Sequence, residues 1–188
     1  SGNASLNVRG GRGGEVLYIV DGVPQNDLYS GANYSQVSNA AIEQISFQIG
    51  GYEAKYGQAQ SGIVNVTTKS GNPFYTFFAD VLTSSFTDKY GYNLYTATLG
   101  GPYLPGNGDH TFFLSAERGW FLDQDPSAIT LEVPSVGLDS DTRPNSAASV
   151  WRFTGRSTHR LGESWVFRVG ANINFREFNA YTHSYIKQ

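Results

Sequence analysis

Between residues 165 and 176 the chain alternates without a break. Trp165, Phe167, Val169, Ala171, Ile173 and Phe175 hold one parity, and Val166, Arg168, Gly170, Asn172, Asn174 and Arg176 hold the other. Residues two apart share a face of a β-strand, whereas a helix repeats every 3.6 residues. The segment therefore predicts a strand with one uninterrupted apolar face and one mostly polar face carrying two arginines. Such a face leaves few folds open. It must meet either a second β-layer or lipid.

The same split recurs upstream. Trp151, Phe153 and Gly155 oppose Arg152, Thr154 and Arg156. Phe112, Leu114 and Ala116 oppose Phe113, Ser115 and Glu117. Tyr95, Ala97 and Leu99 oppose Leu94, Thr96 and Thr98, and Tyr75, Phe77, Ala79 and Val81 oppose Thr76, Phe78, Asp80 and Leu82. From Phe74 onward the pattern predicts about five strands of roughly ten residues or more, near the length of a tilted membrane-spanning strand. Residues 102–109 and 160–164 read as short turns, and 122–145 as a long connection holding Asp123, Asp125, Glu132, Asp139 and Asp141. Short turns at one end and long loops at the other are the habit of outer-membrane barrels.

Alternation alone is shared by a soluble β-sandwich and a membrane barrel. Two features favour lipid. Trp and Phe concentrate near strand ends, as in interfacial girdles, and Asp80, Glu117, Arg152, Arg156, Arg168 and Arg176 all take the polar parity. One charge on a lipid-facing midplane position costs about 2–4 kcal/mol.

Residues 1–72 have a different texture, with short strands between glycine-rich turns. Leu6–Gly10, Val16–Val20, Ile45–Ile49 and Ile63–Thr67 are the candidates. Asp21-Gly22-Val23-Pro24 is a turn with a mechanism, since glycine supplies a positive φ and proline sets its own. Asn39 is the candidate cap of a short helical turn over Ala40, Ala41, Ile42 and Glu43. The expectation is a small α+β unit over 1–72, followed by antiparallel strands over 73–188.

Composition narrows the classes. Charged residues are 15% and aromatics 14% of the chain, which points to β structure in a lipid setting. The net charge of −3 argues against a nucleic-acid partner. There is no cysteine, hence no disulfide frame or thiolate metal site. No apolar run is long enough for a membrane helix, and no signal peptide is recognisable. Methionine is absent, the initiator included, so a processed chain or an internal piece of a longer one is expected. Gly10-Gly11-Arg12-Gly13-Gly14 runs into a strand rather than a helix, which speaks against a phosphate loop. His110, His159 and His183 are scattered along the chain, and Asp139-Ser140-Asp141 lacks the glycine and distal glutamate of a calcium loop. No nucleophile motif occurs. Neither an enzyme nor a cofactor is expected.

The first half carries a recognisable series. It runs Val8-Arg9-Gly10-Gly11-Arg12, Leu17-Tyr18-Ile19-Val20-Asp21-Gly22-Val23-Pro24, Ala41-Ile42-Glu43-Gln44-Ile45, Tyr56-Gly57, and Gly62-Ile63-Val64-Asn65-Val66-Thr67-Thr68-Lys69-Ser70-Gly71. In this order it resembles the C-terminal half of the plug of TonB-dependent outer-membrane receptors. The Gly-Gly-Arg start and the Gly-Gln-Ala-Gln-Ser-Gly approach are most similar to the SusC-like, carboxypeptidase-regulatory-domain-bearing branch. Residues 73–188 resemble the opening strands of that family's barrel, with Leu99-Gly100-Gly101-Pro102 and Thr111-Phe112-Phe113-Leu114-Ser115 fitting well.

The resemblance implies a 22-stranded barrel with a plug inside it, to which this chain contributes part of the plug and the first strands. Lys69-Ser70-Gly71 is then the joint between the two. Gly10, Asp21, Gly22, Pro24, Gly57, Gly62, Lys69 and Gly71 become turn and hinge positions. Arg9 and Lys55 become plug cations that pair with acids of the barrel wall, and the six charges on the polar parity become lumen-facing. The implied function is energised import of a large nutrient (a glycan, a peptide or a metal chelate) across the outer membrane. The implied partners are TonB, acting through a segment outside this chain, outer-membrane lipid, the nutrient ligand and a SusD-like lipoprotein lid. The alternatives are a receptor-like barrel serving as a structural part of a larger complex, and a soluble β-domain for surface binding.

Overall fold

The computed structural model describes residues 16–27, 36–49, 62–87, 90–123, 131–133, 138–140 and 146–179. Within these the chain forms two main sheets. The smaller contains β1 (Val16–Val20), β2 (Val23–Pro24), β3 (Ile42–Gln48) and β4 (Gly62–Thr68), in the order β2-β1-β4-β3. β1 runs parallel to β4, from Val16 opposite Gly62 to Val20 opposite Val66, and the other pairings are antiparallel. β1 is apolar on both parities because it is a central strand covered on both faces. Leu17 and Ile19 cluster with Ile63 in its core.

Asp21 and Gly22 join β1 to β2 as a two-residue hairpin, with φ of 50° and 85°. Two left-handed residues in succession match the strand twist and select Asp-Gly. Pro24 lies in the edge strand, where its missing N–H breaks no central ladder. β2 covers only the end of β1. Asn26 serves the remainder, as its Oδ1 accepts from the Tyr18 N–H at 2.6 Å and its Nδ2 donates to the Val16 carbonyl at 2.8 Å. One side chain thus satisfies backbone groups that a longer β2 would otherwise pair.

The expected helical turn is one 3₁₀ turn, Asn39–Ala41, and its N-cap is Ser38 rather than Asn39. Ile42 is already extended and pairs with Thr68, so the sheet ladder claims the backbone that a second helical turn needs. Among the described residues there is no α-helix, and the described part of the small unit is β with one 3₁₀ turn where α+β was expected.

The larger sheet contains β5 (Thr76–Thr83), β6 (Asn93–Pro102), β7 (His110–Phe121), β10 (Ala148–Leu161) and β11 (Trp165–Phe178). It is antiparallel throughout, in the order β11-β10-β7-β6-β5. A small hairpin of β8 (Leu131–Val133) and β9 (Leu138–Ser140) lies within the long connection. Those strands are too short for the alternation argument to find.

The register assembles the five apolar parities into one face. Phe77, Leu99, Leu114, Gly155 and Ala171 form one row across the strands, and Ala79, Ala97, Ala116, Phe153 and Ile173 the next. No described element covers this outer face. Trp165 is 67% and Phe167 54% exposed, where a β-sandwich needs both buried. No helix of the described residues is long and apolar enough to cross a membrane, which says nothing about crossing by strands.

The opposite parities form the inner face, where Asp80, Thr96, Glu117, Arg152 and Asn174 share a row. Two charges break the split, and Glu177, opposite Ser149 near the end of β11, is one of them. The other, Arg118, lies on the outer face near the end of β7, with its guanidinium 5.1 Å from the centre of the Trp151 ring. There a cation can rest on an aromatic face beside water instead of hydrocarbon.

Candidate functional site

Side chains dock the small unit on the inner face at two places, one held by β10 and the other by β7 and β10 together. Arg152 and Arg156 are four residues apart on one strand, so they project from the same face. Each reaches a different part of the small unit.

Arg156 meets the hairpin tip and the end of β4. Its Nη1 donates to Asp21 Oδ1 at 3.2 Å, to the Thr68 carbonyl at 2.5 Å and to Thr68 Oγ1 at 3.4 Å. Asp21 in turn accepts from the Thr68 N–H at 2.9 Å and from Thr68 Oγ1 at 2.5 Å. The left-handed turn is what lifts the Asp21 carboxylate toward β4. A single acid therefore ties hairpin, strand end and facing sheet together.

The second contact centres on Glu117, which is 5% exposed. Its carboxylate pairs with Arg152 Nη1 through Oε1 and accepts from Ser38 Oγ at 2.7 Å through Oε2. The other Arg152 nitrogen, Nη2, donates to Gln36 Oε1. Ser38 makes no cap bond to its own turn, because its hydroxyl is directed to Glu117 instead. A buried carboxylate is tolerable only when paired and hydrogen-bonded. Glu117 meets that condition by drawing one partner from its own sheet and one from the small unit.

A third contact comes from backbone alone. A Cβ on Gly71 would lie 2.4 Å from the Phe112 carbonyl oxygen and 2.6 Å from its nitrogen. Only glycine lets the linker lie this close to β7. Just before it, the Lys69 N–H donates to the Ala41 carbonyl at 2.8 Å while the Lys69 side chain is exposed.

Arg9, Gly10, Lys55 and Gly57 lie outside the described residues. Asp21, Gly22 and Pro24 form the hairpin, and Gly62 opens β4 as a buried residue. Glu117, Arg152 and Arg156 are brought to the docking contacts. Asp80, Arg168 and Arg176 share their face but stay exposed and away from those contacts, with Arg176 at 5.2 Å from the Phe178 ring centre. Sequence reasoning missed Gln36, Ser38 and Thr68. Thr68 ends a strand just before the punctuation at Lys69 and so left a faint signal, while Gln36 and Ser38 left none. The described contacts place the acid Asp21 on the small unit and the cation Arg156 on the facing sheet, the reverse of the polarity expected for Arg9 and Lys55. Among the described residues no group of three or more His, Cys, Asp or Glu is placed to hold a metal ion. Among the described residues the arrangement binds one sheet to another through polar side chains.

Comparison with known proteins gives this geometry its context. The profile of the family described as TonB-dependent Receptor Plug Domain matches residues 1–64. The TonB-dependent transporter Oar of Myxococcus xanthus is 31% identical over 70 residues, which are 37% of this chain and 7% of that protein. Among solved structures, the siderophore receptor PirA from Acinetobacter baumannii superposes with a TM-score of 0.61 at 17% identity, over 88% of this chain and 25% of that one. That likeness shows the fold. The chain thus spans a quarter or less of the length of these relatives, which are receptors and transporters rather than enzymes. Residues 1–64 thus match the plug-domain family of TonB-dependent receptors, and a small sheet seated on the polar face of antiparallel strands makes the fold similar to that of such outer-membrane receptors.

Proposed function

We propose that the chain forms the plug–wall joint of an energised importer, and that Arg152 and Arg156 are the wall side of a two-point latch. In this reading 1–72 belongs to the plug and 73–188 to the first wall strands, with the inner face lining a lumen. A nutrient too large for porins binds outside, and TonB draws on the plug through a segment outside this chain. The single observation that carries the reading is the convergence of Asp21, Thr68 and Arg156, which couples the plug's hairpin to the strand that leads into the wall. Force applied to the plug reaches the wall through contacts that are polar and reversible rather than through a packed apolar core. The SusC-like branch, and with it a SusD-like lid, belongs to this proposal through the glycine-rich segments that carry the resemblance. By the same resemblance Arg9 and Lys55 add ion pairs to other parts of the wall.

The test uses the full-length receptor in planar lipid bilayers, with potassium chloride conductance as the readout. Wild type stays closed and opens as urea loosens the plug. Arg152→Gln/Arg156→Gln opens at a lower urea concentration, and the wild-type receptor captures the purified C-terminal domain of TonB. An unchanged opening threshold refutes the latch, and failure to capture TonB refutes energised import.

A further inference from the structure

The outer face holds a polar cluster that the plug and the latch do not use. Ser157 Oγ lies 2.9 Å from Tyr103 Oη and 2.8 Å from His159 Nε2, and His159 Nδ1 lies 3.1 Å from His110 Nδ1. Tyr103 stacks on the His159 ring with centroids 5.6 Å apart and planes 15° apart. The two histidines are remote in sequence, and the strict register of β7 and β10 places them opposite each other. The cluster has hydrogen-bonding capacity to spare. Two hydroxyls and two neutral imidazoles carry four donors. The three contacts consume three of them, which leaves one.

Its position along the strands is informative. Arg118 and His110 are eight residues apart on β7. That is about 27 Å along the strand, or about 20 Å through the bilayer at a tilt near 40°. The band between the Arg118–Trp151 row and the His110–His159 row therefore matches the apolar belt of a barrel, about 25 Å tall. The cluster lies at the interface, at the end of the sheet carrying the turns 103–109 and 162–164. The connection 122–147 is at the other end. Short turns mark the periplasmic side.

From this cluster an apolar groove runs toward the middle of the band. Its first part, about 420 Å³, is bordered by Tyr103, Phe112, Leu114 and Val169 and floored by Gly155 and Ala171. It continues past Leu114, Gly155 and Ala171 into a second hollow of about 460 Å³ over Ala97, Ala116 and Ile173. A Cβ at Gly155 would already touch Leu114 Cδ2 at 3.4 Å, so a larger side chain there closes the groove. The groove lies on the exposed apolar face, where its solvent is hydrocarbon.

We propose that this groove and cluster form a binding site for one glycerophospholipid of the periplasmic leaflet. An acyl chain lies over Gly155 and Ala171, and the headgroup phosphate accepts from the Tyr103–Ser157–His159–His110 chain. The occupant follows from continuity with the bilayer-facing surface, from an apolar channel that ends at hydrogen-bond donors, and from the depth of those donors. The inference rests on the outer-membrane reading, but not on plug gating or import.

The test is native mass spectrometry of the full-length receptor in detergent with added palmitoyl-oleoyl phosphatidylethanolamine. Wild type keeps one lipid under activation that strips detergent. Gly155→Leu, which fills the groove, and His110→Ala/His159→Ala, which removes the imidazoles, each weaken retention about tenfold. Tyr103→Phe deletes one hydroxyl without changing shape and weakens it about threefold, so a loss there is not misfolding. Equal retention in wild type and all three variants overturns the site, as does displacement of the lipid by inorganic phosphate alone. Plug opening is measured separately as conductance, so failure of the latch and failure of the lipid site are distinguishable.

Discussion

Asp21 and Arg156 stand 135 residues apart in sequence and 3.2 Å apart in space, one at the tip of a left-handed hairpin and the other on the facing sheet. The carboxylate that receives the guanidinium also accepts from both the backbone and the hydroxyl of Thr68. Asp21→Asn keeps a residue that tolerates positive φ but removes the charge. We expect the urea midpoint of plug release in the full-length receptor to fall by the equivalent of about 1–2 kcal/mol. The double variant with Arg156→Gln falls by less than the sum of the singles, because the two share one contact. Strict additivity in that cycle contradicts a direct Asp21–Arg156 interaction.

Glu117 and Arg152 predict an asymmetry. Removing the cation in Arg152→Ala leaves a buried carboxylate with Ser38 as its remaining partner here, at a cost of about 3–5 kcal/mol. Removing both charges in Glu117→Gln/Arg152→Met restores most of that loss, since no unpaired charge then stays buried. Thermal unfolding of the reconstituted receptor measures both. A double variant as unstable as Arg152→Ala argues that packing, not charge, holds this place.

Two glycines are expected to respond differently to one methyl group. At Gly71 the added carbon meets the Phe112 backbone, which no side-chain rotation relieves. Gly71→Ala costs about 1–3 kcal/mol and shifts plug seating. At Gly22 nothing lies within 4 Å, so Gly22→Ala carries only the strain of φ at 85°, about 1 kcal/mol. Urea midpoints and conductance of the two variants give the comparison, and equal conductance thresholds count against the close approach at Gly71.

Adjacent residues on β11 test which face meets lipid. Ile173 belongs to the outer row with Phe153, and Asn172 pairs with Thr154 on the inner face. Ile173→Arg destabilises the assembled barrel by about 2–4 kcal/mol, whereas Asn172→Arg changes it by well under half of that. Heat-modifiable mobility of receptor extracted from outer membranes reports the fraction assembled. Similar losses at both positions rule out a lipid-facing outer row.

Much of the architecture was legible because strand periodicity is a local property. Side chains alternate across the backbone whatever the neighbours are, so the parities of Trp165 through Phe175 and of Glu117, Arg152 and Arg156 could be read off one segment at a time. The Asp21-Gly22 turn was equally plain, since few residue pairs accept two positive φ values. The reading failed where a residue's role depends on what arrives from far away. Asn39 looks like a cap, but the sheet takes over at Ile42 and Ser38 turns to Glu117. Arg118 breaks the parity of the charges because Trp151 on the next strand accommodates it.

The chain's own order of residues decided which faces are greasy, which are charged, where the chain turns and where its texture changes at Lys69. These follow from alternation, backbone sterics and the cost of placing charge in hydrocarbon. Tertiary structure alone decided that Arg156 meets Asp21 and Thr68, that Glu117 is shared by Arg152 and Ser38, and that His110 meets His159. Each pairing depends on strand register and on how one sheet docks on another. A shift of one residue in register reverses every side chain, and no local segment encodes that choice.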